Sequence, residues 1–201
     1  MDAHSMMMKR LAVVFGLACG ITFSLGSRAQ QADGPRYMNG TSLIRPTDYR
    51  EWTFLSSGLG MTYEPPGSSS PASPSFGNVF VNPSSSRSFI QTGRWPDGTV
   101  FILEIRKSNS EASINKAGRF QTDLVSIEAE VKDSRFPDGW AFFLFGAAPS
   151  MRSAAEPLSG DRVTSCVECH TKNTAVERTF VQFYPTLLDV ARQKGTLKPG
   201  F

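Results

Sequence analysis

Residues 121–133 read QTDLVSIEAEVKD, and the segment alternates. Val125, Ile127, Ala129 and Val131 fall on one side of an extended chain, while Leu124, Ser126, Glu128 and Glu130 fall on the other. Successive side chains of a strand point to opposite faces, so this pattern predicts a strand with one buried face. Such strands belong naturally to antiparallel sheets, because parallel strands are usually apolar on both sides.

Other runs repeat the theme. WTFLSSGLGMTY (52–63), NVFVN (78–82), GTVFILEIRK (98–107) and WAFFLFGA (140–147) are rich in β-branched and aromatic residues. Pro-Asp-Gly occurs at 96–98 and again at 137–139, each time just before a run, where its turn chemistry reverses the chain. An antiparallel meander is the expected arrangement. Two helices interrupt it. One is expected over Pro83–Thr92, with Asn82 as N-cap, Pro83 at the first helical position and Gly93 beyond the end. The other is expected from about Thr174 through VERTFVQF, with Pro185 restarting it before TLLDVARQKG. The fold class is therefore mainly β (α+β), a single antiparallel β-sheet domain with a C-terminal helical segment that carries a cysteine motif.

The chain has 201 residues and 40% hydrophobic content, enough for one domain with a real core. Its start is distinct. Lys9 and Arg10 precede an apolar run from Leu11 to Leu25, and Ser27-Arg28-Ala29 offers small residues for cleavage, which reads as a secretory signal over 1–29. The run is only about 15 residues long and holds Gly16, Gly20, Thr22 and Ser24, short for a membrane span. Residues 30–47 are polar and aperiodic, a flexible lead-in, and the domain is expected over 48–201, interrupted by a Pro/Ser-rich loop at 65–75. Cleavage near Ala29 would leave 18 basic against 17 acidic residues, a balance that argues against nucleic acid as a partner. The expected location is the periplasm or the outside of the cell.

Cleavage would also remove His4 and Cys19. The remaining Cys and His residues all lie in SCVECH (165–170), so no long-range disulfide is expected. Three chemistries use such a spacing. A thioredoxin-like pair sits early in a βαβ fold, and this motif comes late. A structural zinc site needs four ligands, and only three such residues remain. C-x-x-C-H is also the attachment signature of haem c. Two thiols one helical turn apart can reach the two vinyl groups of one porphyrin, and the next residue places an imidazole at the iron. Cys166 and Cys169 are then the covalent anchors and His170 the proximal ligand of one haem c.

The opposite side of the iron decides the function. After His170 there are 31 residues with neither Met nor His, which excludes the layout of the small helical cytochromes c. Met38, Met61 and Met151 remain as candidate sixth ligands, the plainer reading of Met61 being core filling. Without one of them the iron is open to a small molecule such as nitric oxide, carbon monoxide, hydroxylamine or peroxide. A four-helix cytochrome c′ does not fit the alternating strands.

DYREW (48–52), VFVNP (79–83), TGRWPDGTVFILEI (92–105), EAEVKDSRF (128–136), GWAFFLF (139–145), CVECH and FVQFYPTL (180–187) together resemble the cytochrome P-460 family, which includes the cytochromes c′-beta. The resemblance implies a largely antiparallel β fold, one c-type haem with a His ligand, five-coordinate iron and a homodimer. In members that oxidise hydroxylamine, a lysine just before the Glu of the DGTV strand is crosslinked to the porphyrin. Here that position, beside Glu104, is Leu103, and Lys107 lies about 13 Å further along at strand rise. This points toward the c′-beta branch, a binder of nitric oxide or a similar small ligand, with hydroxylamine oxidation or peroxide reduction, or electron transfer with a Met ligand, as alternatives. A redox partner protein is compatible with all three. By strand parity Phe101, Leu103 and Ile105 share a face and would form an apolar distal wall, and Glu128 corresponds to the carboxylate thought to move protons in the hydroxylamine oxidisers.

Overall fold

The structure is a computed structural model that describes residues 33–62, 73–114 and 116–201. The expected signal segment and most of the 65–75 loop lie outside the described residues. The strands are β1 (Tyr37–Met38), β2 (Ser42–Ile44), β3 (Thr53–Leu59), β4 (Phe76–Val81), β5 (Thr99–Asn109), β6 (Phe120–Lys132), β7 (Trp140–Ala147) and β8 (Ala154–Ala155). The helices are α1 (Pro83–Thr92), α2 (Asp161–Lys172) and α3 (Pro185–Lys194). Strands β3 to β7 form one antiparallel sheet in chain order, the expected meander, and β1, β2 and β8 form a small second sheet.

The main sheet is buried on both faces by different partners. Val100 and Ile102 of β5, Ile127, Ala129 and Val131 of β6, and Phe143 and Phe145 of β7 join Leu43 and Tyr49 in one core. On the other face Leu55, Val81 and Phe101 pack with Phe89 of α1, Trp95, Val176 and Val181, and Leu187 of α3. The alternation in β6 is realised from Ile127 to Val131, with the apolar residues inside and Glu128 and Glu130 on the reverse face, but not at its start: the β5–β6 register shifts there, Leu124, expected on the polar face, packs against the core, and Val125 is only half-buried.

Three further expectations need correction. The segment 30–47 is not merely a lead-in: from Asp33 on it contributes β1 and β2, and Leu43 is fully buried. These strands are two and three residues long, too short to show a period. Asn82 stands at the N-cap of α1, but its side chain makes no capping bond; Oδ1 instead accepts the Val100 N–H at 2.8 Å. Asp33 caps the helix in its place, accepting the Ser84 N–H at 2.8 Å and the Ser84 hydroxyl. The second helix begins earlier than expected and contains SCVECH, whereas Thr174–Phe180 form a non-helical turn before a short 3₁₀ segment, Val181–Phe183, and α3. Gly93 ends α1 as read, at φ 72°, and a Cβ there would come 2.7 Å from Lys194 Cβ where α1 meets α3.

Glu104 ties β5 to its surroundings. It is 2% exposed and accepts from Arg106 Nε at 2.7 Å, Arg50 Nε at 3.0 Å, Asn78 Nδ2 at 3.1 Å and the Tyr49 hydroxyl. Burial alone would raise its pKa, but the hydrogen bonds from Arg106, Tyr49, Arg50 and Asn78 bring it down to about 2 from the ordinary 4.5. A group depressed in the folded state stabilises fully above its unfolded pKa and loses that contribution as pH falls through the folded one. Stability should therefore decline from about pH 4.5 toward about pH 2, by on the order of 3 kcal/mol from this group. Glu104→Gln should be less stable at neutral pH and should flatten that decline, as measured by denaturant titration at several pH values.

Candidate functional site

Helix α2 has no buried residue. Val163, Cys166, Val167 and His170 are half-covered and fall at spacings of three and four, so they form one stripe along the helix. Cys169 is half-covered at its margin, and both cysteines are free thiols. Gly160 at φ 58° turns the chain into the helix, and Asp161 in its first turn and Lys172 in its last each match in sign the helix dipole.

His170 is held from three sides. Its Nδ1 lies 2.8 Å from the Arg178 carbonyl and 3.1 Å from Glu130 Oε1. Both groups accept, so the proton sits on Nδ1 and Nε2 carries the lone pair. Nε2 has no hydrogen-bond partner among the described residues. The rings of Phe142 and Phe180 meet the imidazole edge-on, each with centroids 4.8 Å away. Burial lowers the His170 pKa, yet Glu130 and the Arg178 carbonyl raise it further, for a net rise. Burial likewise pushes the Glu130 carboxyl up against the opposing pull of His170 and Arg178.

The Arg178 carbonyl is in place because its loop is part of the core. Ala175, Val176 and Val181 are fully buried, and Val176 and Thr179 form an isolated antiparallel bridge. The Trp95 indole N–H donates to Thr179 Oγ1 at 2.9 Å, and Lys132 Nζ bonds Glu177 Oε2 at 2.7 Å. Thr174 Oγ1 closes the turn by donating to the His170 carbonyl and lying 3.1 Å from the Glu177 carbonyl.

Cross-strand rows order the sheet face on this side. Val81, Phe101, Glu130 and Phe142 are aligned in one row, and Val79, Leu103, Glu128 and Leu144 in the next. Phe101 is buried in the core, its ring edge-on to Trp95 at 4.7 Å, so it supports the site from within and is not an open wall. Leu103 is half-buried, as are Val79 and Ile105. Glu128 is half-buried with no hydrogen-bond partner among the described residues; burial raises its pKa, and its charge acts on the Cys166 thiol, whose own pKa burial raises. Beside it the β6–β7 register shifts between Ser126 and Glu128, with Gly146 at φ 92° in the bulged strand, a device that re-aims side chains near sites.

The candidate sixth ligands are dispersed. Met151 packs against the core on the opposite face of the sheet, and Met61, beyond the end of β3, is 63% exposed, so the core-filling reading of Met61 is wrong. Met38 is exposed and lines a cavity of about 370 Å³ with Leu144 and Arg162.

These residues suit a porphyrin. Two thiols and an Nε2 lone pair share one side of a helix that the polypeptide leaves half-covered, opposite a partly apolar row. Arg178 adds a guanidinium whose Nη1 is buried without a partner among the described residues, a donor that an anionic acceptor such as a carboxylate would satisfy. An antiparallel β domain with such a helix is the class of a haem-binding cytochrome. The chain matches the family model Cytochrome P460 over residues 46–181, most of its length, and belongs to that family, the haem cytochromes. No curated protein matches it in sequence.

Sequence reasoning placed Glu130 on the right face without giving it a role, and it missed Phe142, Phe180 and Arg178. Glu130 was findable as the neighbour of Glu128 at strand period, whereas the Arg178 carbonyl contributes through its backbone and carries no side-chain signal. Thr179→Val should cost roughly 1–3 kcal/mol by leaving the Trp95 N–H unpaired, read by denaturant unfolding, and should loosen the 174–181 turn, read by amide exchange.

Proposed function

We propose that the protein carries one covalent haem c, linked through Cys166 and Cys169 with His170 as axial ligand, and binds nitric oxide or a similar small ligand at the opposite position. The observation that carries the reading is the imidazole of His170: Nδ1 is committed to the Arg178 carbonyl and Nε2 is free, beside two thiols on a helix with no buried residue. The group supplies an iron with an exchangeable coordination position.

The chain's own residues divide the work. Cys166 and Cys169, one turn apart, hold the ring by thioethers, and His170 presents Nε2 at a fixed angle. Leu103, Val79 and Ile105 keep their part of the sheet apolar, which disfavours water and charged ligands relative to neutral diatomic ones. Leu103 stands where the resemblance implies a crosslinking lysine, so hydroxylamine oxidation is disfavoured. The reduced protein should show a five-coordinate high-spin spectrum that changes on addition of nitric oxide. A six-coordinate low-spin spectrum indifferent to the gas would end the reading and turn attention to Met38 or Met61.

One observation favours a second reading, a redox enzyme acting on hydroxylamine or peroxide. Glu128 is a half-buried carboxyl with a raised pKa and no hydrogen-bond partner among the described residues, the condition of a group free to hold and release a proton. On that reading turnover with an artificial electron acceptor should fall roughly a hundredfold in Glu128→Gln. If wild type and variant are both silent, the enzyme reading is abandoned. Export to the periplasm with cleavage near Ala29, a homodimer and a protein redox partner complete the proposal; they rest on the sequence and the family resemblance.

A further inference from the structure

Glu130 is a buried carboxyl without an evident structural duty. Its side chain is 11% exposed, it is fixed on the site face by Ala129 and Val131 in the core, and its hydrogen bond goes to His170 Nδ1. Burying a carboxylate is costly, and one such bond seldom offsets that cost. Nor is Glu130 needed to choose the tautomer, because the Arg178 carbonyl already accepts from Nδ1 at 2.8 Å. The single Nδ1 proton therefore faces two acceptors, a backbone carbonyl at 2.8 Å and a carboxyl oxygen at 3.1 Å.

We infer that Glu130 is a positioning residue that strengthens the axial bond of His170, drawing the Nδ1 proton toward its carboxylate and so raising the donor power of Nε2. A carboxylate hydrogen-bonded to the far nitrogen of a metal-bound imidazole makes that imidazole more basic. A stronger axial donor favours the ferric over the ferrous state and keeps His170 bound when a ligand occupies the opposite position. Phe142 and Phe180 meet the imidazole edge-on, each with centroids 4.8 Å away, so Glu130 acts on an imidazole whose orientation is restrained by packing. The inference rests on the haem reading above and adds the residue that tunes it.

The test uses the holo-protein as wild type, Glu130→Gln, Glu130→Asp and Glu130→Leu, each checked by mass for the two-thioether adduct. In Glu130→Gln and Glu130→Leu the ferrous iron–histidine stretching frequency should fall and the midpoint potential should rise, with haem still attached and Glu130→Asp partly restored. Unchanged frequency and potential in Glu130→Gln with haem attached would overturn the inference and leave the haem reading standing. Wild type lacking the adduct, or a His170→Ala variant that keeps the iron–histidine band, would overturn the haem reading itself and the inference with it. Should the variants not accumulate as folded holo-protein, the wild-type band decides: a frequency typical of imidazoles that donate to a backbone carbonyl alone counts against Glu130, and a higher one supports it.

Discussion

The pleat of β6 is the constraint from which the site follows. Ile127, Ala129 and Val131 are committed to the core, so the residues between them have no freedom of face. A slip of one residue would drive Glu128 and Glu130 into a cluster of Val, Ile and Phe side chains, at a cost no rearrangement nearby could offset. Register is therefore set by burial on one side and delivers two carboxyls on the other. Pairing with β5 and β7 extends the consequence, because Leu103 and Leu144 flank Glu128 just as Phe101 and Phe142 flank Glu130. The two rows differ in depth: the Phe101 row is closed by the C-terminal segment, while the Leu103 row is only half-covered.

Helix α2 obeys a different logic. With no buried residue it gains little of the apolar burial that normally holds a short helix in place. What fixes it lies just beyond its end, where Ala175, Val176 and Val181 enter the core and the Trp95–Thr179 hydrogen bond pins the turn. Lys198 adds to this by donating to the Thr171 carbonyl at 2.9 Å and to Thr174 Oγ1 at 2.7 Å. The last turn of α2, with His170, is thus the best-anchored part of the helix, and the cysteines lie further from the anchor. The imidazole is thus held more firmly than the two thiols, which suits the proposed haem attachment, where the ring of His170 would have to be oriented and the thiols would need only to reach.

The sequence was most legible where burial imposed a period. The five long strands, their antiparallel order and α1 with its Gly93 stop were readable because each buries one face of a regular element. The start of α2 was not, since DRVTSCVECHTK has few apolar residues and its stripe includes two cysteines and a histidine, so a search for core-facing residues passes over it. Likewise β1 and β2 are too short to alternate, and the cap on α1 comes from Asp33, 51 positions before Ser84 in the chain. At the candidate site, the motif's residue types suggest a chemistry from sequence, whereas Arg178 enters by a carbonyl and Phe101 by depth, neither of which residue identity reveals.

Glu104 and Leu103 are adjacent in sequence and opposite in duty. Glu104 points into the N-terminal side of the sheet, where four donors hold its carboxylate and tie β5 to Tyr49, Arg50 and Asn78. Leu103 points the other way, half-buried beside Glu128, with its Cδ1 3.3 Å from where a Cβ on Gly77 would stand. Because the pleat separates the two faces, a change at position 103 need not disturb the network that stabilises the strand, nor a change at 104 the face that carries Glu128 and Glu130. A strand built this way can change the residue it presents at position 103 while the polar network around Glu104, and with it the fold, stays the same.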